Sequence, residues 1–276
     1  MDLTCVEVVA SPDGAARYVL SGSGVTFEVV HYQWPGHEAV CVSSQAGCGF
    51  GCRHCATTYA PVQFQRSLTT EEIVASVSLV LARRGTPGVR TVDVSGIGDP
   101  SRNWAAVEQA GQRLLASGAA QRITLTTVAP QRWVRARLAG GWLPAKVRIS
   151  LHGPTRDTRR QVVTHGDDPV RVIDLWEQLG SRVPVELNYV LHAGNTRTQD
   201  VRDLRDLLAG RRFAALRLSP LNPVAGVPLV ACPDPAPFAE AVRAALPDWQ
   251  VEDFTPLGAH AQAACGQLRV RVHGGG

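Results

Sequence analysis

The sequence predicts an α/β fold in which parallel strands and helices alternate around a partial barrel. Strand-like apolar runs and helix-length amphipathic stretches alternate six times, and repeated βα units of this length imply parallel strands with right-handed crossovers. Polar residues gather just after each strand-like run, where a parallel α/β barrel builds its site from the C-terminal strand ends. The 276 residues, 45% of them hydrophobic, suffice for one large core. An open doubly wound sheet would also bind its ligand at strand ends. The convergence of the polar groups on one mouth favours a partial (β/α)6 TIM-like barrel with a small N-terminal β-hairpin extension and a C-terminal tail.

Residues 1–38 hold the extension, in which Arg17 to Leu20 and Val25 to His31 alternate in polarity around Ser21-Gly22-Ser23-Gly24, a hairpin pattern. Residues 39–254 hold the barrel. Its units run Ala39 to Ser43 with a helix near Thr70 to Arg83, Thr91 to Ser95 with Trp104 to Ala116, and Ile123 to Thr127 with Arg132 to Leu138. They continue as Val147 to Leu151 with Val170 to Leu179, Val185 to Leu191 with Thr198 to Leu208, and Ala215 to Ser219 with Pro237 to Ala245. A short strand is expected at Trp249 to Phe254, and Pro220 to Pro237 reads as a long loop at the substrate edge. Residues 255–276 form the tail, which carries Cys265 and ends in glycines expected to be disordered.

No apolar stretch is long enough for a membrane span and no charged-then-apolar leader follows Met1, which predicts a cytoplasmic protein without a membrane partner. The net charge of +4 permits a polyanionic partner such as RNA without requiring one. Lys146 is the single lysine, and the densest arginine stretches, Arg132 to Arg137 and Arg156 to Arg160, read equally as solvated helix faces or phosphate contacts.

Seven cysteines, an odd number with three clustered, read as metal binding plus reactive thiols in a reducing compartment. Cys48, Cys52 and Cys55 follow a C-x3-C-x2-C spacing on a glycine-rich loop. Three thiolates so close together can converge on one metal centre, and no fourth cysteine follows to close a structural shell. An open position can bind something else. His54, placed between two of the cysteines, is poorly situated to complete a zinc site with both.

The spacing resembles the signature of radical S-adenosylmethionine (SAM) enzymes. A closer resemblance, to the class A radical SAM methyltransferases of the RlmN and Cfr family, runs over almost the whole chain. It rests on Cys41-Val-Ser-Ser-Gln-Ala-Gly-Cys48, Phe64-Gln-Arg-Ser-Leu-Thr69 with Glu71-Glu72-Ile73, Gly96-Ile-Gly-Asp-Pro100, Ile149-Ser-Leu-His152, Leu221-Asn-Pro223 and Ala264-Cys-Gly-Gln-Leu268. The resemblance implies a [4Fe-4S] cluster on Cys48, Cys52 and Cys55, with SAM on the fourth iron. It also implies Cys265 as methyl carrier, Cys41 as the resolving thiol that closes a disulfide with it, and Glu28 as proton acceptor. SAM contacts fall on Gly98, Asp99, Thr126, Ser150, Leu151, His152 and Asn222. Alone, either cysteine reads as a small buried hydrophobe and Glu28 as a solvated hairpin residue.

The chain departs from the family pattern at Asp99, where glutamate is usual, at Thr126, where serine is usual, and at His54, where an aromatic is usual. It is expected to be a truncated form lacking the N-terminal accessory domain. The expected reaction is methylation of an sp2 carbon, adenine in ribosomal or transfer RNA being the first substrate, with an electron donor such as flavodoxin or ferredoxin and a monomeric enzyme. One alternative keeps the chemistry on a nucleoside-like or natural-product small molecule. Another class is a non-catalytic, metal-binding RNA-binding protein. Radical SAM chemistry without methyl transfer is a third.

Overall fold

The computed structural model describes residues 3–270, so the terminal glycines lie outside the described residues. The chain opens with β1 (Thr4–Ala10), β2 (Ala15–Gly22) and β3 (Val25–Trp34), which pair antiparallel in that order. The hairpin expected from the sequence is therefore a three-stranded ribbon. β1 escaped the reading because Val6 and Val8 fall on its exposed face at a sheet edge, so its apolar residues do not mark a buried side.

β4 (His37–Val42) pairs antiparallel with β3 on one side and leads into the parallel barrel on the other. β5 (Gln45–Gly47) and β6 (Phe64–Ser67) form a separate short ribbon that pins both ends of the cysteine loop. The repeating units follow: α1 (Thr70–Arg84), β7 (Val89–Val94), α2 (Trp104–Ala116), β8 (Ala120–Thr127), α3 (Gln131–Ala139), β9 (Lys146–Ser150), α4 (Arg156–Arg160), α5 (Pro169–Gly180), β10 (Val185–Leu191), α6 (Thr198–Leu208), β11 (Ala215–Pro220), α7 (Ala236–Ala245) and β12 (Val251–Asp253). The ten-stranded sheet runs β1-β2-β3-β4-β7-β8-β9-β10-β11-β12, every pair from β4 onward being parallel. β1 and β12 are its two edges, so the barrel is open.

Local chemistry sets these elements. α1 begins at a capping box in which Thr69 and Glu72 satisfy each other's backbone N–H, and it ends at Gly85 in the left-handed region. The strands alternate strictly. Val40, Val92, Leu125, Val147, Leu187 and Leu216 pack outward in the helix-covered core. Their neighbours face inward in register, Cys41 opposite Asp93, Asp93 opposite Thr124, and Thr126 opposite Arg148. The inward faces of these strands thus bring polar side chains into a barrel interior that apolar residues also line.

The tail crosses to this interior and is held by the N-terminal ribbon. Arg17 donates from Nε to the Ala261 carbonyl at 2.7 Å and from Nη1 to Glu28 Oε1 at 2.6 Å. Glu28 Oε2 accepts the Arg269 N–H at 3.0 Å, Tyr32 donates to the Ala263 carbonyl at 2.7 Å, and Asp13 accepts the Gly258 N–H at 2.7 Å. Ala261, Ala263, Leu268 and Val270 pack with Ala15, Val30, Cys41 and Ile97 in a satellite core.

Removing one partner of a buried ion pair leaves the other charge unpaired, so Arg17→Met is expected to cost about 3–5 kcal/mol, measured by urea unfolding. Amide hydrogen exchange over residues 258–270 is expected to accelerate in that variant more than exchange in β8 or β10.

Candidate active site

The cysteine loop is fixed from several directions. Cys48 N–H donates to the Gln63 carbonyl at 2.7 Å, Arg53 N–H to the Val162 carbonyl at 2.8 Å, and Thr164 Oγ1 to the Gly51 carbonyl at 2.7 Å. Gly47 has φ +94° and a Cβ there would stand 2.2 Å from the Gln63 carbonyl oxygen, so the turn before Cys48 requires glycine. Phe50 anchors the loop against Val128, Val162 and Val163. The tail meets the same loop, with Ala56 N–H donating to the Gly266 carbonyl at 2.6 Å and Thr57 Oγ1 to the Leu268 carbonyl at 2.8 Å.

These contacts bring Cys48, Cys52, Cys55, Cys41 and Cys265 to one cavity of about 370 Å³ inside the barrel. Gly98, Asp99, Thr126, Ser150, His152 and Asn222 line it too. Two predicted residues do not. Leu151 is fully buried in the core. Glu28, 1% exposed, points into the Arg17 ion pair and the tail backbone, because that pocket of hydrogen-bond donors lies behind the satellite core. Expected as the proton acceptor, Glu28 here lies outside the cavity lining and holds the tail at the Arg269 N–H.

Gly98 adopts φ +95° and packs so closely on Gln45 that a Cβ would meet its side chain at 2.6 Å. This explains two motifs at once: the Ser43-Ser44-Gln45 segment and the Gly96 to Pro100 turn dovetail, Ser44 and Gln45 both donating to the Ile97 carbonyl. Asp99 accepts from Thr127 Oγ1 at 2.8 Å, Ser101 N–H at 2.9 Å and Val128 N–H at 2.7 Å. Burial raises its carboxyl above the ordinary range despite those donors. A carboxylate has about four lone-pair sites, so one acceptor position is left for a ligand. His152, at φ 55°, accepts the Val190 N–H on Nδ1 at 3.0 Å, which assigns the proton to Nε2 in the neutral ring. Its ring meets that of His54 edge-on at 5.1 Å. Asn222 donates from Nδ2 to the Cys265 carbonyl at 2.9 Å and so positions the tail as well as lining the cavity.

The two further thiols are both free and share one electrostatic setting. Cys41 is 6% exposed; burial first, and the Asp93 carboxylate second, hold its thiol well above the ordinary range. Cys265 is exposed and lines the cavity. Burial and Asp93 raise its thiol too, opposed by the Arg148 and Arg217 guanidinia. Sequence reasoning missed Asp93, Ser95, Arg148 and Arg217. The signal was available for Arg148, which sits two residues before Ser150 on the same strand and so shares its face.

A sequence profile of the Radical SAM superfamily matches residues 42–208. A probable dual-specificity RNA methyltransferase RlmN of Frankia casuarinae is 37% identical over 246 residues, covering 81% of this chain and 57% of that protein. One of Mycolicibacterium paratuberculosis is 34% identical over 296 residues, covering 96% and 77%. The chain thus spans little more than half of the first of these relatives. A radical SAM methyltransferase from Sphaerobacter thermophilus superposes with a TM-score of 0.85 at 27% identity, covering 97% of this chain and 81% of the other. Streptococcus suis SuiB shares the fold alone, with a TM-score of 0.57 at 13% identity.

The fold and thiol-rimmed cavity define a radical SAM protein, and the chain belongs to that superfamily and, within it, to the RlmN family. As a member of the Radical SAM superfamily it uses a [4Fe-4S] cluster and SAM. The donor set fits. Burial pushes the Cys48 thiol up to about 12 and holds that of Cys52 well above the ordinary thiol range, and neighbouring cysteines of the loop add to both shifts. Such thiols become thiolates against a metal's charge. Among the described residues no three histidine, cysteine or acidic side chains are arranged to hold a single metal ion, whereas a multi-iron cube takes its thiolates further apart.

Anaerobic reconstitution is expected to load about four irons per chain, the content of one such cube. Cys48→Ala, Cys52→Ala and Cys55→Ala are each expected to lose most of that iron and the broad visible absorbance. Iron and sulfide assays read the outcome.

Proposed function

We propose that this protein is a radical SAM methyltransferase acting on an sp2 carbon, with adenine in RNA as the substrate. One observation carries the reading: Cys41 and Cys265, far apart in sequence, face one cavity whose rim carries Cys48, Cys52 and Cys55. The kinship with RlmN proteins, named as RNA methyltransferases, supports the substrate class.

Cluster and SAM together supply a methyl group and, on reduction, a carbon radical able to take a hydrogen atom from an S-methyl group. Cys48, Cys52 and Cys55 hold the cluster. Gly98, Asp99, Thr126, Ser150 and His152 face the space where SAM binds, Asp99 with its remaining lone pair suited to an ammonium group. Cys265 carries the methyl group toward the substrate, its backbone held by Asn222 on one side and by Ala56 through Gly266 on the other. Cys41 resolves the covalent adduct by closing a disulfide with Cys265, and a thiol reductant restores both. An electron donor of the flavodoxin or ferredoxin class feeds the cluster, and the protein acts as a monomer.

A second reading keeps this chemistry on a nucleotide-sized molecule. Arg122, Arg148 and Arg217 line the cavity and offer charge to a phosphate, and its volume is that of a small-molecule site. Incubation of reconstituted protein with SAM, dithionite and either RNA or nucleotides separates the two. The Cys265 peptide of anaerobically purified, SAM-exposed protein is expected to be one CH2 heavier by mass spectrometry, and an unmodified peptide overturns the carrier role. Cys265→Ala is expected to form 5′-deoxyadenosine without methylated product. Cys41→Ala is expected to stall as a covalent adduct with substrate.

A further inference from the structure

We propose that Asp93, acting through Ser95, is the proton acceptor for the Cys41 thiol. The inference rests on Cys41 being the resolving cysteine. Its geometry has a direction. Ser95 Oγ lies 2.7 Å from Asp93 Oδ2 and 3.3 Å from Cys41 Sγ. A serine hydroxyl has one proton and an ionised carboxylate only accepts, so that proton points at Asp93. Ser95 therefore presents a lone pair to Cys41, and the thiol is the donor. Thiol, hydroxyl and carboxylate form a proton wire already oriented toward Asp93.

The carboxylate is held in place for this. Thr124 Oγ1 donates to Asp93 Oδ1 at 2.7 Å, and Arg148 Nη1 donates to Oδ2 at 3.1 Å while its Nε is held by Glu186 at 3.1 Å. Among the described residues the carboxylates lining the cavity are Asp93 and Asp99. Asp99 is engaged beside the cysteine loop by Ser101, Thr127 and Val128, and Glu28 does not reach the cavity, so Asp93 serves the Cys41 side. The charge balance suits a thiol that must stay unreactive until needed. At rest, burial and the Asp93 charge disfavour the Cys41 thiolate. Transfer of the proton to Asp93 cancels the opposing charge as the thiolate forms.

In the resolving step Cys41 Sγ attacks Cys265 Sγ. The S–S bond forms and the bond from Cys265 Sγ to the substrate's methylene breaks. Its electron pair leaves on carbon, which takes up a proton from water to become methyl; the hydroxide so formed is neutralised when the Asp93 carboxyl gives its proton back to solvent. The thiol proton passes to Ser95 as the Ser95 proton passes to Asp93, so the serine ends unchanged and the carboxyl protonated.

The test is alkylation of the cluster-loaded full chain by iodoacetamide in the absence of SAM, with labelling of the Cys41 peptide followed by mass spectrometry. Cys5 and Cys232, both half-buried, serve as internal references. Asp93→Asn and Ser95→Ala are each expected to slow Cys41 labelling at least about tenfold, the low side of what a positioned proton acceptor contributes. Ser95→Thr, which keeps the hydroxyl, is expected to restore it. If Asp93 were only a nearby charge, Asp93→Asn would accelerate labelling by relieving the thiolate, and Ser95→Ala would leave it unchanged. Either result overturns the proposal. Loss of structure would expose this buried thiol and raise its labelling, so a slower rate does not arise from misfolding. Failure of the methyl-transfer reading shows elsewhere, as a Cys265 that is never methylated.

Discussion

The buried ion pair between Arg17 and Glu28 is the constraint on which the site depends. Arg17 and Glu28 are 3% and 1% exposed, and charges so deeply buried are tolerated only when their remaining donors and acceptors are met. Here the tail meets them: Arg17 Nε needs the Ala261 carbonyl and Glu28 Oε2 needs the Arg269 N–H. Without the tail, Arg17 Nε and Glu28 Oε2 lose these backbone partners in the interior. The N-terminal ribbon and the C-terminal segment are thereby made to fold as a unit. Cys265 lies between those two anchor points and is delivered to the barrel mouth.

This coupling gives the ribbon a purpose that its position at a sheet edge does not suggest. β3 carries Glu28 and Tyr32 to the tail, and its neighbour β4 carries Cys41 into the barrel. The cysteine loop binds the tail from the other side through Ala56 and Thr57. Cys265 is therefore mounted on a short segment, Ala264 to Gly266, between fixed supports. Behind the opposite wall, Arg159 donates to the Val128 carbonyl at 3.0 Å and lies over Trp176, which donates to the Ala129 carbonyl at 3.0 Å. The strand end next to Thr126 and Thr127 is as firmly held as the tail.

Much of this was readable in advance, for physical reasons. Periodicity located α2 at Trp104–Ala116, β10 at Val185–Leu191 and α6 at Thr198–Leu208 to the residue, because each has one strongly apolar face. β1 was lost because its valines are exposed, and the β5 and β6 ribbon because three- and four-residue strands carry too little pattern. Spacing marked Cys48, Cys52 and Cys55, since their chemistry is local. Glu28 shows the opposite case: its place in the sequence suited a cavity role, and only tertiary packing reveals Arg17 across the ribbon. Asp93 and Ser95 lie in a segment already read as a strand, and their meeting with Cys41 is a matter of register between β4 and β7. Sequence shows alternation along one strand, but which neighbour that strand selects is decided by the whole sheet.

Cys41 and Cys265 line one cavity while the tail is docked, which brings the two thiols within reach of each other. Mild oxidation of the cluster-loaded protein by a soluble disulfide, followed by peptide mapping under non-reducing conditions, tests this most directly. A Cys41–Cys265 bridge is expected to form ahead of any bridge involving Cys5 or Cys232. Failure to form it, with the tail still protected from proteolysis, would contradict the shared site.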